Sequence, residues 1–151
     1  KVITLVSNPA NVEAEVADAD LVIGAVLIPA AKAPTVVTKK MVKQMRPGSV
    51  IVDIAIDQGG CIEGIKYTSH EKPTYHEFGV NHYAVPNMPA LVGRTSTIGL
   101  TQATEPYIAM IVQKGVDRAL NEHKGLAKGV NTRGGRIVYD EVAKAVGFDH
   151  V

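Results

Sequence analysis

The chain has no tryptophan, one cysteine and few aromatic residues, 5% of its length. A single cysteine, Cys61, excludes a disulfide framework and fits a reducing, intracellular compartment. Scarce aromatics disfavour a stacking surface for single-stranded nucleic acid. Charge of one sign is not in excess either. The net charge is +1, so neither a basic field for nucleic acid nor an acidic one for cations is expected. No apolar run approaches the roughly 18–20 residues that span a bilayer, and no secretory leader pattern opens the chain. These absences predict no nucleic-acid partner, no membrane partner and a cytoplasmic location. One more absence matters for chemistry. Nowhere is a strand followed by G-x-G-x-x-G, the turn that cradles a dinucleotide pyrophosphate.

What is present is ordinary globular composition: 151 residues, 46% apolar and 21% charged. The chain opens on Lys1 and passes directly into Val2-Ile3-Thr4-Leu5-Val6, a strand pattern, so it reads as a piece of something longer. Ser7-Asn8-Pro9 makes a turn, and Asn11 is placed to cap a helix to about Ala19. Leu21-Val22-Ile23 begins a second strand, which the apolar pattern carries through Gly24 to Ile28. After a proline-bracketed loop at 29–34, Thr38 is expected to cap a helix to about Met45, stopped by Pro47-Gly48. Val50-Ile51-Val52 is then an apolar run of the kind buried on both faces of a sheet.

Strands alternating with helices imply βαβ units and a parallel sheet. The expected fold class is α/β, the second half of a doubly wound, Rossmann-type sheet. Residues 61–79 read as an irregular connection and 82–85 as another strand. Beyond about Pro89 the composition turns helical. Thr104-Glu105-Pro106 can cap a separate helix bearing Ile108, Ile111, Val112, Gly115 and Ala119 on one face. Residues 125–136 read as a basic, glycine-rich loop and 137–139 as a short strand. Asp140 is expected to cap a last helix closed by Gly147. The boundary is set at 1–92 and 93–151.

In open parallel sheets, ligands bind beyond the carboxyl ends of the strands. Asp57, just past such an end and ahead of Gly59-Gly60, is therefore the first candidate for proton transfer. The alternative is a turn aspartate bonded to its own backbone. Asp53, earlier in the strand, reads as structural. Val26-Leu27 end a strand at the same edge and can flank a flat ring or simply fill core. Ser7 can bond a ribose or adenine edge, or serve only its turn. His70, His76 and His82 fall six apart, wider than metal ligands prefer, so no metal is expected. Cys61, with no adjacent base, reads as an inert buried thiol.

A longer pattern runs through these residues. Asp20-Leu21-Val22-Ile23-Gly24-Ala25-Val26-Leu27-Ile28-Pro29, Ala31-Lys32-Ala33-Pro34 and Pro47-Gly48-Ser49-Val50-Ile51-Val52-Asp53-Ile54-Ala55-Ile56-Asp57-Gln58-Gly59-Gly60-Cys61 closely resemble the alanine dehydrogenase/pyridine nucleotide transhydrogenase family. So do Asn87-Met88-Pro89, Arg94-Thr95-Ser96-Thr97 and Leu126-Ala127-Lys128-Gly129. The resemblance covers nearly the whole chain and is to the C-terminal portion of alanine dehydrogenase: the later half of its NAD domain, then helices returning to the substrate domain. It implies NAD-dependent oxidative deamination of L-alanine to pyruvate and ammonia, reversibly, by a cytoplasmic homohexamer. It makes Asp57 the catalytic aspartate, assisting proton transfer and the carbinolamine step. It puts Ser7, Val26, Leu27, Ile54, Ala55, Ile56, Asp57, Val85, Pro86, Asn87 and Met88 along NAD.

The family's phosphate loop, ribose-binding acid, substrate-binding arginine and lysine and catalytic histidine lie upstream. The fragment alone is accordingly expected to be inactive, and no histidine here inherits that role. Departures are Ala30 for the usual Gly, Pro86 for Ala and Gly93 for Pro. Two other readings compete. The related proton-translocating transhydrogenase has an Ala-rich sequence where 54–58 stands, and Gln58-Gly59-Gly60 favours the deaminating enzyme. A non-catalytic fragment acting only within an assembly is the second. A 2-hydroxyacid dehydrogenase is disfavoured because no arginine lies between Arg46 and Arg94.

Overall fold

The computed structural model describes residues 2–29 and 31–148. Lys1, Ala30 and 149–151 lie outside the described residues, and the Ala30 departure with them. Two compact units are present, Lys1–Met88 and Pro89–Val151.

In the first unit, α1 (Pro9–Asp18) is capped by Asn8, whose side chain accepts from the Asn11 amide at 2.9 Å. The cap is thus not the predicted Asn11, whose side chain instead donates to the Val6 carbonyl at 2.9 Å. Pro9 costs nothing in the first turn, where its missing N–H has no partner to lose. The predicted strand at 2–6 does not form. Its residues are exposed and pair with no described strand, so the apolar run has no ladder partner to make it a strand.

β1 (Leu21–Gly24) and β2 (Val50–Asp53) pair in parallel, ending on Gly24 opposite Asp53. The predicted continuation of β1 to Ile28 is absent, because β2 coils into a 3-10 turn after Asp53 and offers no further partner. Between them, Thr38 caps the single turn α2 (Lys39–Val42), its hydroxyl accepting from the Met41 amide at 3.3 Å. Met41, Val42 and Met45 all turn inward.

The 61–79 connection is not irregular throughout. It contains β3 (Thr74–Glu77), which pairs antiparallel with β4 (Val80–Tyr83) across the tight turn Phe78-Gly79, φ +53° and +81°. The strand predicted at 82–85 therefore begins and ends two residues earlier, where its ladder with β2 stops at Val52 and Tyr83. Sheet order is β1-β2-β4-β3, parallel except for the β3 edge. This is the α/β arrangement expected from the sequence. The core lies between one sheet face and the two helices: Ile51 and Val80 from the sheet, Val16 from α1, Met41 and Val42 from α2. The loop at 33–37 is stitched on by amides of Ala33 to the Gln58 carbonyl and Val36 to the Cys61 carbonyl, 3.0 and 2.8 Å.

In the second unit, α3 (Gly93–Lys114) is continuous through Pro106, so the separate helix predicted at Thr104 does not exist. The hydroxyls of Thr101 and Thr104 bond back to the carbonyls of Thr97 and Leu100, 2.7 and 2.8 Å, instead of capping. Gly115 (φ +77°) breaks the chain into α4 (Val116–Glu122), and the predicted apolar face with it. Of that face only Ala119 is buried. α5 (Lys124–Ala127) and the hairpin β5 (Thr132–Arg133) with β6 (Arg136–Ile137) occupy the predicted loop. The strand predicted at 137–139 begins one residue earlier and ends two earlier, at Ile137, where its pairing with β5 runs out. α6 (Asp140–Val146) has Tyr139 at its cap position, so Asp140 is its first residue and not the predicted cap, and it closes on Gly147 at φ +72°.

Beneath the β1–β2 end, Gly24, Asp53 and Cys61 fill one tight volume. A Cβ on Gly24 would stand 2.5 Å from the Cys61 sulfur and 3.3 Å from Asp53 Oδ1. Burial, and then the Asp53 charge, pushes the Cys61 thiol up to about 11 from an ordinary 9.0. Gly24→Ala should therefore destabilise the fold by about 1–3 kcal/mol in urea titrations, with part of the loss recovered on adding Cys61→Ala. The buried thiol keeps its proton where the unfolded one releases it. Its contribution to stability is then complete below about pH 9 and lost as pH rises toward 11. Denaturation midpoints that fall over this window in the parent but less in Cys61→Ala would bear this out; equal falls would refute it.

Candidate active site

The parallel strands deliver three loops to one edge: 25–28 after β1, 54–58 after β2 and 84–88 after β4. Asp53 decides the path of the middle one. It is fully buried, and its Oδ2 accepts from the amides of Cys61 and Ile62 at 2.8 and 3.3 Å. To bring those amides back over Asp53, the chain turns tightly as a 3-10 segment, Ile54–Gln58. Gly59 (φ +92°) and Gly60 (φ +78°) close it, their amides donating hydrogen bonds to the carbonyls of Ile56 and Ala55 at 2.9 and 3.0 Å. A Cβ at Gly60 would lie 2.8 Å from Asp53 Oδ2, so glycine is required there.

Within this turn Ile56 and Ala55 are buried, while Asp57 stands exposed on the outer side. Both Asp57 oxygens lie within reach of one donor, the Asn87 amide, at 3.1 and 3.3 Å. Asn87 adopts φ +51°, a left-handed conformation that asparagine tolerates better than most residues. A cleft of about 260 Å³ opens beside it. Ala25, Val26 and Leu27 form one wall and Ile54 and Ala55 another, with Asp57 and Gln58 between. Asp57 is the one charged residue among these. A flat ring would fit apolar walls of this kind, with a carboxylate at its margin for proton transfer.

The structure thus brings together Val26, Leu27, Ile54, Ala55 and Asp57 of the predicted set, and reaches Asn87 through its amide. Ile56 and Val85 are fully buried and present no surface to the cleft, because both pack inward beneath the sheet edge. Pro86 and Met88 are half-buried in the same loop as Asn87. Ser7 lines a different hollow, of about 280 Å³, with Val6, Asn11 and Val22. Ala25 and Gln58 line the cleft without having been predicted. Adjacency to Val26 and Asp57 at strand ends was the available signal.

The histidines do not converge. His82 is buried and stacks on Tyr75 with centroids 4.7 Å apart, its Nδ1 3.1 Å from the Val80 carbonyl. Burial draws its pKa down and pushes that of Tyr75 up. His76 instead pairs with Asn81 at 3.2 Å. No group of three metal-ligating side chains gathers among the described residues.

Residues 1–140 match the family described as alanine dehydrogenase/PNT, C-terminal domain. Alanine dehydrogenase of Bacillus subtilis (strain 168) is 56% identical over 149 residues, 98% of this chain and 39% of its own length. That of Methanococcus maripaludis is 56% identical over 146 residues, 96% and 39% respectively. A solved L-alanine dehydrogenase superposes with a TM-score of 0.78 at 49% identity, over 93% of this chain and 39% of its own. A transhydrogenase from Sinorhizobium meliloti gives 0.66 at 28% identity, over 87% and 35%. The chain spans about two fifths of the length of the relatives it matches. With this edge geometry and these matches, the chain belongs to the alanine dehydrogenase/PNT C-terminal domain family.

Proposed function

We propose that the chain carries the catalytic aspartate and part of the NAD cleft of an alanine dehydrogenase, which interconverts L-alanine with pyruvate and ammonia. The carrying observation is Asp57, exposed at the sheet edge beside an apolar cleft and fixed by the Asn87 amide. The identities of 56% to proteins named alanine dehydrogenase, against 28% to a transhydrogenase, favour this chemistry over the runner-up.

NAD fits what lines the cleft: the aliphatic walls of Val26, Leu27, Ile54 and Ala55 suit a flat ring, and Gln58 has a buried Oε1 without a donor. When bound, it accepts a hydride from the substrate carbon. The Val85–Met88 loop and Ser7 complete the set assigned to the cofactor. The apolar walls exclude water from the face they cover. Asp57 takes the proton released as water adds to the oxidised substrate carbon, and returns it as ammonia leaves. The Asn87 amide holds the carboxylate at one edge and leaves its remaining lone pairs for this exchange. Residues 1–92 then belong to the NAD domain and 93–151 to the substrate domain. The phosphate loop and the other substrate contacts come from the remainder of the enzyme, which assembles as a cytoplasmic homohexamer.

In the full-length protein, Asp57→Asn keeps the shape and removes the charge. It should lower turnover about 10²–10⁴-fold while NAD affinity stays within a few-fold. Near-normal turnover would remove Asp57 from the mechanism. The 151-residue chain alone, without G-x-G-x-x-G, should form no NADH from L-alanine in a spectrophotometric assay.

A further inference from the structure

Gln58 sits next to Asp57 in the 3-10 turn and lines the same cleft. Its backbone is well held: the carbonyl accepts from the Ala33 amide at 3.0 Å. Its side chain is not. Nε2 reaches the Ile28 carbonyl at 3.5 Å, the outer limit of a hydrogen bond. Oε1 is screened from solvent and has no donor, the one such buried side-chain atom among the described residues. A buried acceptor left unsatisfied is costly, and most such atoms have a partner. So loose a contact at Nε2 lets the terminal amide turn about its last bond and offer Oε1 to a donor entering the cleft.

That donor must be small enough to lie between the walls of Val26 and Ile54, with an N–H at its rim. Gln58 is itself neutral and offers that N–H a hydrogen-bond acceptor, while the only charge in the cleft lining is that of Asp57. A ring carboxamide has this chemistry.

Building on the NAD reading above, we infer that Gln58 recognises the carboxamide NH₂ of the nicotinamide through Oε1, setting which ring face meets Asp57. Gln58 thereby acts as a positioning and cofactor-specificity residue.

The test compares equilibrium binding of NAD and of its 3-acetylpyridine analogue, which replaces the NH₂ by a methyl group. Full-length protein and its Gln58→Leu and Gln58→Glu variants are titrated by calorimetry. Parent protein should prefer NAD. Gln58→Leu should weaken NAD about tenfold, as expected for losing one hydrogen bond to a buried group, and leave the analogue within about twofold. Gln58→Glu retains an acceptor and should keep most of the preference for NAD. A purely structural Gln58 would weaken both dinucleotides equally in Gln58→Leu, and that outcome overturns the inference while leaving the NAD reading intact. Unchanged binding of both in Gln58→Leu also overturns it. Failure of the parent protein to bind NAD at all would remove both.

Discussion

The buried carboxylate of Asp53 is the constraint on which the candidate site depends. It lies at the last paired position of β2, opposite Gly24, and is closed from solvent. A carboxylate in such a place needs donors, and hydrogen bonds to a charged acceptor contribute about 1.5–3 kcal/mol each. The amides of Cys61 and Ile62 supply them. Everything between Asp53 and Cys61 must then fit a loop that leaves the sheet and returns within a few residues. The 3-10 turn, the two left-handed glycines and the outward Asp57 are consequences of that closure. One aspartate is spent as an anchor so that the other can be presented.

The same anchor orders the neighbouring strand. Cys61 is drawn against Gly24, where no side chain has room, and its carbonyl accepts from the amides of Val36 and Val37. Val37 and Ile62 form a parallel bridge, so the loop that follows β1 is laid along the loop that follows β2. One wall of the cleft, residues 25–27, thereby meets the turn that carries Asp57. The cleft is a by-product of how a buried charge is satisfied, which explains why its walls are apolar while its margin is not.

Much of this was legible in the sequence where a single local rule governs. β2 announces itself as an apolar run between Pro47-Gly48 and Gly59-Gly60, Thr38 as a cap, and Gly147 as a stop. Errors arose where a distant partner decides. Residues 2–6 are apolar enough for a strand but have no ladder among the described residues, whereas Thr74–Glu77, mostly polar, becomes a strand because β4 folds back beside it. Pro106 reads as a helix start. In α3 it is an interior residue, because the exposed helix can leave the freed carbonyl of Gln102 to water. For the site, pattern put Asp57 at a strand end but could not tell a turn aspartate from a working one. What pattern does not show is that Asp57 is held by the Asn87 amide, thirty residues away, whose approach depends on the β2–β4 register.

That long-range contact also sets how Asp57 is held. A turn aspartate bonded to its own following amides would be consumed locally, as Asp53 is consumed by Cys61 and Ile62. Asp57 shares a single amide between its two oxygens, at distances near the long end for an N–H···O bond. It is oriented without being saturated, and it is exposed where Asp53 is sealed. Two carboxylates four residues apart are thus separated by environment into a sealed anchor and an exposed group held at one edge of the cleft. The division is imposed by the turn between them, so substitutions at Gly59 or Gly60 act on Asp57 without touching it.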